Sequence, residues 1–403
     1  MKKGVRYGTV FFLVVATAFV TAIATYFYLS MLIEDLGKNQ QMYLKLDKVN
    51  QVVSRNYINT IDPLDGYDKI LDGIVGGYID GLGDPYSYYL NQKNYKTSAF
   101  AMDGTFIDIG IRYSYDNATG GIKINFAKNG SPAKMAGLAQ GDIIISIDGV
   151  NVTEDGYRRA AQRLFGEESS IVEISVVRAG ESDILTFSVR RTKFESQTVE
   201  YRMVESGIGY IFINEFDRTT LTDFTVALDD LTSKGAKGLM IDIRFNSGGD
   251  LNSTISVLDK IMPASIIVSL KEKSSTEPET YFSDDRHISL PMVVIQNSKT
   301  AGVAEVFSAA LRDTEVARII GTVSMGMGVG QRDIPLSDGT AIRLSTYEYI
   351  TPAGERFNKT GIEPTITSNL DVEKESRFFE LTDEEDDQLQ TALNQLKEMM
   401  GMQ

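Results

Sequence analysis

Cysteine is absent from this 403-residue chain, and histidine occurs once, at His287. The first absence excludes disulfides, thiol chemistry and cysteine-metal sites. With one histidine left, a metal centre is not expected, and no other cofactor is called for. A chain without thiols suits export, where stray oxidation is a hazard. Positive charge is also scarce: 40 Lys and Arg stand against 55 Asp and Glu, a net charge of −15. That balance argues against nucleic acid as a partner, because phosphate binding needs a basic face. The run Gly326-Met-Gly-Val-Gly330 has neither the spacing nor the Lys-Ser/Thr of a phosphate loop.

What is present is the composition of a folded protein, 42% hydrophobic and 24% charged. At this length two or more domains are expected. Lys2, Lys3 and Arg6 precede an uncharged stretch from Tyr7 to Ile33. That stretch is long enough to span a bilayer, and the charges before it predict a cytoplasmic N-terminus and an exported remainder. The expectation is a single-pass anchor at the cell membrane. A cleaved signal peptide ending near Ala22-Ile-Ala24 is the rival reading, but the apolar run continues through Tyr26-Phe-Tyr-Leu29.

The rest of the chain changes period several times. Residues 34–100 read as helical, with helices over Met42–Tyr57 and Leu64–Leu82, the second stopped by Gly81-Leu-Gly83-Asp-Pro85. Residues 101–192 carry short β-type runs, among them 121–126, 171–177 and 185–189. Residues 193–375 alternate strand and helix: strands at 208–213, 238–243 and 290–296, helices at 219–234, 251–262 and 301–312. That alternation implies an α/β core with parallel strands. Residues 272–289 read as a surface excursion, with His287 in it. Residues 376–403 end in an amphipathic helix opening at Thr382-Asp-Glu-Glu, whose acidic cluster up to Asp387 reads as a solvated first turn. The expected fold is thus multidomain α/β: tail 1–6, anchor 7–33, helical region 34–100, β-rich domain 101–192, α/β core 193–375 and helical tail 376–403.

Several motifs in order carry a resemblance. Gly130-Ser-Pro-Ala, Ala136-Gly-Leu, Gly141-Asp-Ile-Ile and Ile147-Asp-Gly149 resemble a PDZ domain. Asp242-Ile-Arg244-Phe-Asn246-Ser-Gly248-Gly249, the stretch 291–331, and Thr351-Pro-Ala-Gly354 with Gly361-Ile-Glu-Pro364 resemble the carboxy-terminal processing, or tail-specific, serine peptidases. Gly83-Asp-Pro-Tyr-Ser-Tyr-Tyr-Leu90 is similar to an element of that family leading into its PDZ domain. The resemblance implies a nucleophilic Ser three residues before Glu305, a base Lys between Gly326 and Gly328, and a Gln four residues on. This chain has Gly302, Met327 and Gln331 there. It also implies that Gly248 and Gly249 form the oxyanion turn, since only glycine lets a backbone approach a reacting carbonyl so closely.

The PDZ resemblance implies peptide binding by strand addition, with the peptide carboxylate in a loop formed here by Ile107, Asp108, Ile109, Gly110 and Ile111. The family usually has Gly at the place of Asp108. A carboxylate there repels a bound one unless it points to solvent. Binding of an internal or tethered segment stays open.

Covalent acyl transfer needs a nucleophile and a group that takes its proton. Glycine has no side chain, and a thioether is no base at pH 7. The expectation is a pseudopeptidase that binds polypeptide, or a partner peptidase as homodimer or hetero-oligomer, without cutting. The alternatives are an active serine-type endopeptidase with a relocated nucleophile drawn from Ser298, Thr300, Ser308 or Ser324 with Lys299 as base, a form whose Ser and Lys have been replaced, or a structural exported protein whose N- and C-terminal helices drive self-association.

Overall fold

The computed structural model describes residues 7–62, 66–102, 108–116, 118–128, 130–192, 198–205 and 207–402. Tyr7–Asn56 is one helix, α1. The first proline of the chain is Pro63, so no ring interrupts the backbone ladder before it. Phe12, Val14, Phe19, Val20 and Ile23 are exposed along it. Thr9, Thr17, Thr21 and Thr25 break up the apolar run, and Thr21 Oγ1 donates back to Thr17 O at 2.8 Å. Among the described residues no helix is long and apolar enough to cross a membrane, so the anchor expected over 7–33 is not supported here. Residues 1–6 and the side chains of 29–39 lie outside the described set.

The chain forms two compact units, Met1–Gly73 and Ile74–Gln403. Helix α2, Gly66–Asp80, falls close to its expected bounds. The following turn leads into β1, Tyr88–Leu90, and helix α3, Gln92–Met102. Three residues carry no periodic signal, which is why β1 is unreadable in a region taken as helical.

Next come β2 (Ile111–Tyr115), β3 (Ile122–Ala127), α4 (Pro132–Ala136), β4 (Ile143–Ile147), β5 (Val150–Asn151), α5 (Val152–Asp155), α6 (Tyr157–Gln162), β6 (Ile171–Val177) and β7 (Leu185–Arg190). The sheet order is β2-β3-β4-β6-β7, with β5 on β4, so β2 is an edge. Alternate residues point inward: Val172, Ile174 and Val176 are fully buried, between exposed Ile171, Glu173 and Val177. They close a core with Ile122, Ile124, Ile144, Ile147 and Leu164.

The remaining elements are β8 (Val199–Glu205), β9 (Ile208–Ile213), α7 (Thr220–Ser233), β10 (Gly238–Asp242), α8 (Leu251–Ile261), β11 (Ile266–Glu272), β12 (Glu279–Phe282), β13 (Met292–Gln296), α9 (Val303–Asp313), β14 (Ala317–Gly321), β15 (Val329–Pro335), β16 (Ala341–Ile350), β17 (Ile366–Thr367), α10 (Val372–Ser376), a 3-10 turn Phe378–Glu380 and α11 (Asp387–Met399). The central sheet runs β17-β14-β13-β10-β9-β8, parallel except for β8. Strands β9, β10, β13 and β14 succeed one another in one direction. Right-handed crossovers then place α7, α8 and α9 on one face, where they bury Phe224, Leu258 and Phe307 against Leu239, Ile241 and Val294. The opposite face, Met240, Val293, Ile295 and Ile320, is covered by Leu389, Leu393 and Leu396 of α11. Both faces are covered, which explains the unbroken apolar reading of β10 and β13. The segment read as a surface excursion contributes β12 to a second sheet, β1-β16-β11-β12 with β15 on β16.

The acidic tail is the main correction. Asp386, not Thr382, caps α11, accepting from Gln388 and Leu389 N–H. It is buried, and it chelates Arg244 together with Asp242. Burial disfavours the guanidinium charge, but the two carboxylates more than offset that and hold Arg244 above its usual range. The Phe378 ring lies 4.4 Å from the guanidinium carbon.

Candidate functional site

The site lies beyond the C-terminal ends of β10 and β13, where the loops 243–250 and 297–302 leave the sheet. Asn246 organises the first loop. Its Nδ2 donates to Ile213 O at 2.9 Å, its Oδ1 accepts Gly248 N–H, and its carbonyl accepts Ala301 N–H. Phe245 before it sits at φ 61°, a left-handed conformation uncommon outside glycine. Its ring packs on Phe378 and Phe379, at centroid distances of 4.7 and 5.5 Å.

Gly248 and Gly249 are glycines by necessity. At Gly249, φ 131°, a Cβ would collide with the Phe216 carbonyl. A Cβ on Gly248 would stand 3.1 Å from Ala301 O and 3.3 Å from Val303 N. The turn is thus pressed against the first turn of α9. Asn246 takes the Gly248 N–H, and the Val303 N–H that lies against Gly248 stands at a helix start that leaves it without an intrahelical partner.

Gly302 is the N-cap of α9, at φ 60° and ψ −124°. A Cβ placed there would be 3.7 Å from Met327 Sδ, 3.8 Å from Ser247 O and 4.0 Å from Gly248 Cα. The two positions that the resemblance pairs therefore do face each other, over the glycine turn, and there is room for a side chain at 302. Met327 is fixed by its neighbours. A Cβ on Gly326 would meet Gly361 N at 2.9 Å, and one on Gly328 would collide with the Asn358 backbone. Residues 357–361 therefore press directly on the loop.

Glu305 joins the two positions. It is fully buried and accepts four hydrogen bonds: Gly302 N at 2.9 Å, Ser324 Oγ at 2.5 Å, Gly326 N at 2.7 Å and Met327 N at 2.7 Å. Burial raises its carboxyl above the ordinary value, against the pull of those donors. In the sequence Glu305 is only a landmark. Its position three residues after an N-cap is the capping signal that could have identified it.

Gln331 lies in β15, four residues after Met327. Its Nε2 donates to Val329 O at 3.0 Å and Ser345 Oγ at 3.4 Å, at a register shift in β15. The relocated nucleophiles also fare badly. Thr300 is buried, donating to Ile243 O and accepting Asn297 N–H, both at 3.0 Å. Ser324 is engaged by Glu305, Ser308 is buried inside α9, and Ser298 and Lys299 are exposed. His287 has its ring nitrogen 3.2 Å from Asp285 O. Among the described residues no three acidic or histidine side chains could hold a metal ion.

In the PDZ-like loop, Ile107 lies outside the described residues. Ile109, Gly110 and Ile111 are buried, with Gly110 at φ 74°. Asp108 does not point to solvent: its Oδ1 accepts Gly110 N–H at 2.9 Å. Burial pushes its carboxyl up to about 6, with Lys128 opposing. Nearby, Glu215 pairs with Arg112 at 2.8 Å and Lys128 at 3.3 Å, and it stays below its ordinary range despite burial because of these two cations.

Comparison with known proteins agrees with this layout. Residues 207–368 match Peptidase family S41 and residues 126–178 match the PDZ domain. The chain is 32% identical over 327 residues to the carboxy-terminal processing protease CtpB of Bacillus subtilis, covering 80% of this chain and 67% of that one. It is 30% identical over 365 residues to CtpA of the same organism, covering 89% and 77%. A solved photosystem II D1 C-terminal processing protease is 25% identical with a TM-score of 0.60, covering 82% of this chain and 89% of the other. On these grounds the chain belongs to peptidase family S41, within the PDZ-containing carboxy-terminal processing proteases.

Proposed function

We propose that this chain is a catalytically silent member of its family, which binds polypeptide without cutting it. The observation that carries the reading is the pairing of Gly302 with Met327. The scaffold presents the two positions to each other at the glycine turn, but neither supplies a nucleophile or a base. The nearby hydroxyls offer no substitute. Thr300 and Ser324 spend theirs on the loops, and a displacement of even about 1 Å from the oxyanion turn costs roughly a hundredfold in rate. The ligand of such a site is an exported polypeptide or an active relative with which the chain pairs.

Export is part of the proposal. It rests on Lys2, Lys3 and Arg6 ahead of the uncharged residues 7–33, and on the apolar side chains exposed along α1. Carbonate extraction of cell membranes, with protease added to intact spheroplasts, checks both retention and side.

The decisive test is hydrolysis of a quenched peptide library by the full chain beside the Gly302→Ser/Met327→Lys double variant. A silent chain and a cutting variant are expected, because a side chain at 302 has room and points at 327. Cleavage by the unaltered chain that Thr300→Ala or Lys299→Ala abolishes would overturn the reading in favour of an active endopeptidase.

A further inference from the structure

Resting on that peptide-binding reading, we propose that Asp108 supplies from within the chain the carboxylate that a free C-terminus would place in the loop before β2. The groove beside β2 then takes a segment that does not end in a free carboxylate.

Three observations carry this. Asp108 Oδ1 already occupies the Gly110 N–H, one of the loop donors that a terminal carboxylate would need. At Ile109 and Gly110 the backbone is held in place, because their carbonyls accept Ala133 N–H and Lys128 N–H at 2.8 and 2.9 Å. The cations close by do not rescue a second negative charge either: Arg112 and Lys128 both bind Glu215. A peptide carboxylate would therefore meet an occupied donor and a like charge. By contrast, among the described residues β2 pairs only with β3 and forms the edge of its sheet, the place where a strand can be added. The main-chain part of peptide recognition is thus intact while the end-group part is self-satisfied.

The test is fluorescence anisotropy with the full chain and one fluorescein-labelled nonapeptide of apolar C-terminal sequence, made as the free acid and as the amide. The unaltered chain is expected to bind the amide at least as tightly as the acid. In Asp108→Gly the acid-to-amide affinity ratio is expected to rise by about tenfold or more, the worth of one charge-assisted hydrogen bond regained and one repulsion removed. Asp108→Asn keeps an oxygen that can hold Gly110 N–H but removes the charge, and it should give a smaller rise. Circular dichroism establishes that each variant is folded. An unchanged ratio in folded Asp108→Gly overturns this proposal alone. Absence of binding by every form, with either peptide, overturns it together with the PDZ part of the functional reading, and leaves the hydrolysis test of the silent site untouched.

Discussion

At the scale of single residues, the site is held by groups whose partners are all backbone or buried hydroxyl. Glu305 is an acceptor for three N–H groups and Ser324 Oγ. Glu305→Gln puts an amide NH2 where only acceptors fit. A loss of about 2–3 kcal/mol in urea unfolding is expected, since buried donors are left facing a donor. Thr300→Ala should lower stability by about 1–2 kcal/mol through the bonds to Ile243 and Asn297, without changing whatever hydrolysis is seen. Asp108 has a pH signature. Its carboxyl moves from 3.8 up to about 6 on folding, so the fold favours the neutral form. That contribution is full below about pH 4 and is lost as pH rises through about 6. Relative to Asp108→Asn, the unaltered chain should lose roughly 1–2 kcal/mol between pH 4 and pH 7, a figure reduced from the full shift because the group is only half-buried. Equal slopes in paired urea titrations would refute it. The substitutions at 302 and 327 are legible in the sequence alone. The roles of Glu305, Asn246 and Thr300 are not, because a hydrogen bond to a residue in another loop leaves no local pattern.

At the scale of elements, glycine marks where two loops touch. Gly302→Ala should cost about 1–2 kcal/mol, for its backbone conformation only, since a Cβ there has room. Gly328→Ala, which drives into the Asn358 backbone, and Gly249→Ala, which drives into the Phe216 carbonyl, should each cost more, about 3 kcal/mol or above. Thermal unfolding of the three variants ranks them, and an equal cost for all would contradict the packing described. Some elements were readable from their apolar pattern: β9 and β6 have the bounds the pattern implies, and α7 and α9 differ by one or two residues, while β8, β11, β15 and β16 carried no expectation. Strands β1 and β12 were not, being three and four residues that become strands only by pairing with β16 and β11.

At the scale of the whole molecule, the C-terminal helix is the back layer of the sheet, locked by a buried ion cluster. Asp386→Ala leaves Arg244 with Asp242 but strips the cap from α11. A loss of about 3 kcal/mol or more is expected, with limited proteolysis moving to the region around 381–402. Unchanged cleavage there would show that the cluster does not hold the helix. The acidic stretch 383–387 reads as solvated because like charges in one turn usually are. Asp386 is buried only because Arg244, more than a hundred positions earlier, arrives beneath it. The sequence by itself determined the α/β alternation, the PDZ-like turns and the presence of Gly302 and Met327 where the family resemblance implies a Ser and a Lys, since period, turn chemistry and residue type are local properties. Only the tertiary structure decided that Gly302 and Met327 face each other, that Glu305 ties their loops together, and that Asp108 turns onto Gly110 rather than out to water. Those depend on burial and on contacts between distant segments, which a linear pattern does not encode.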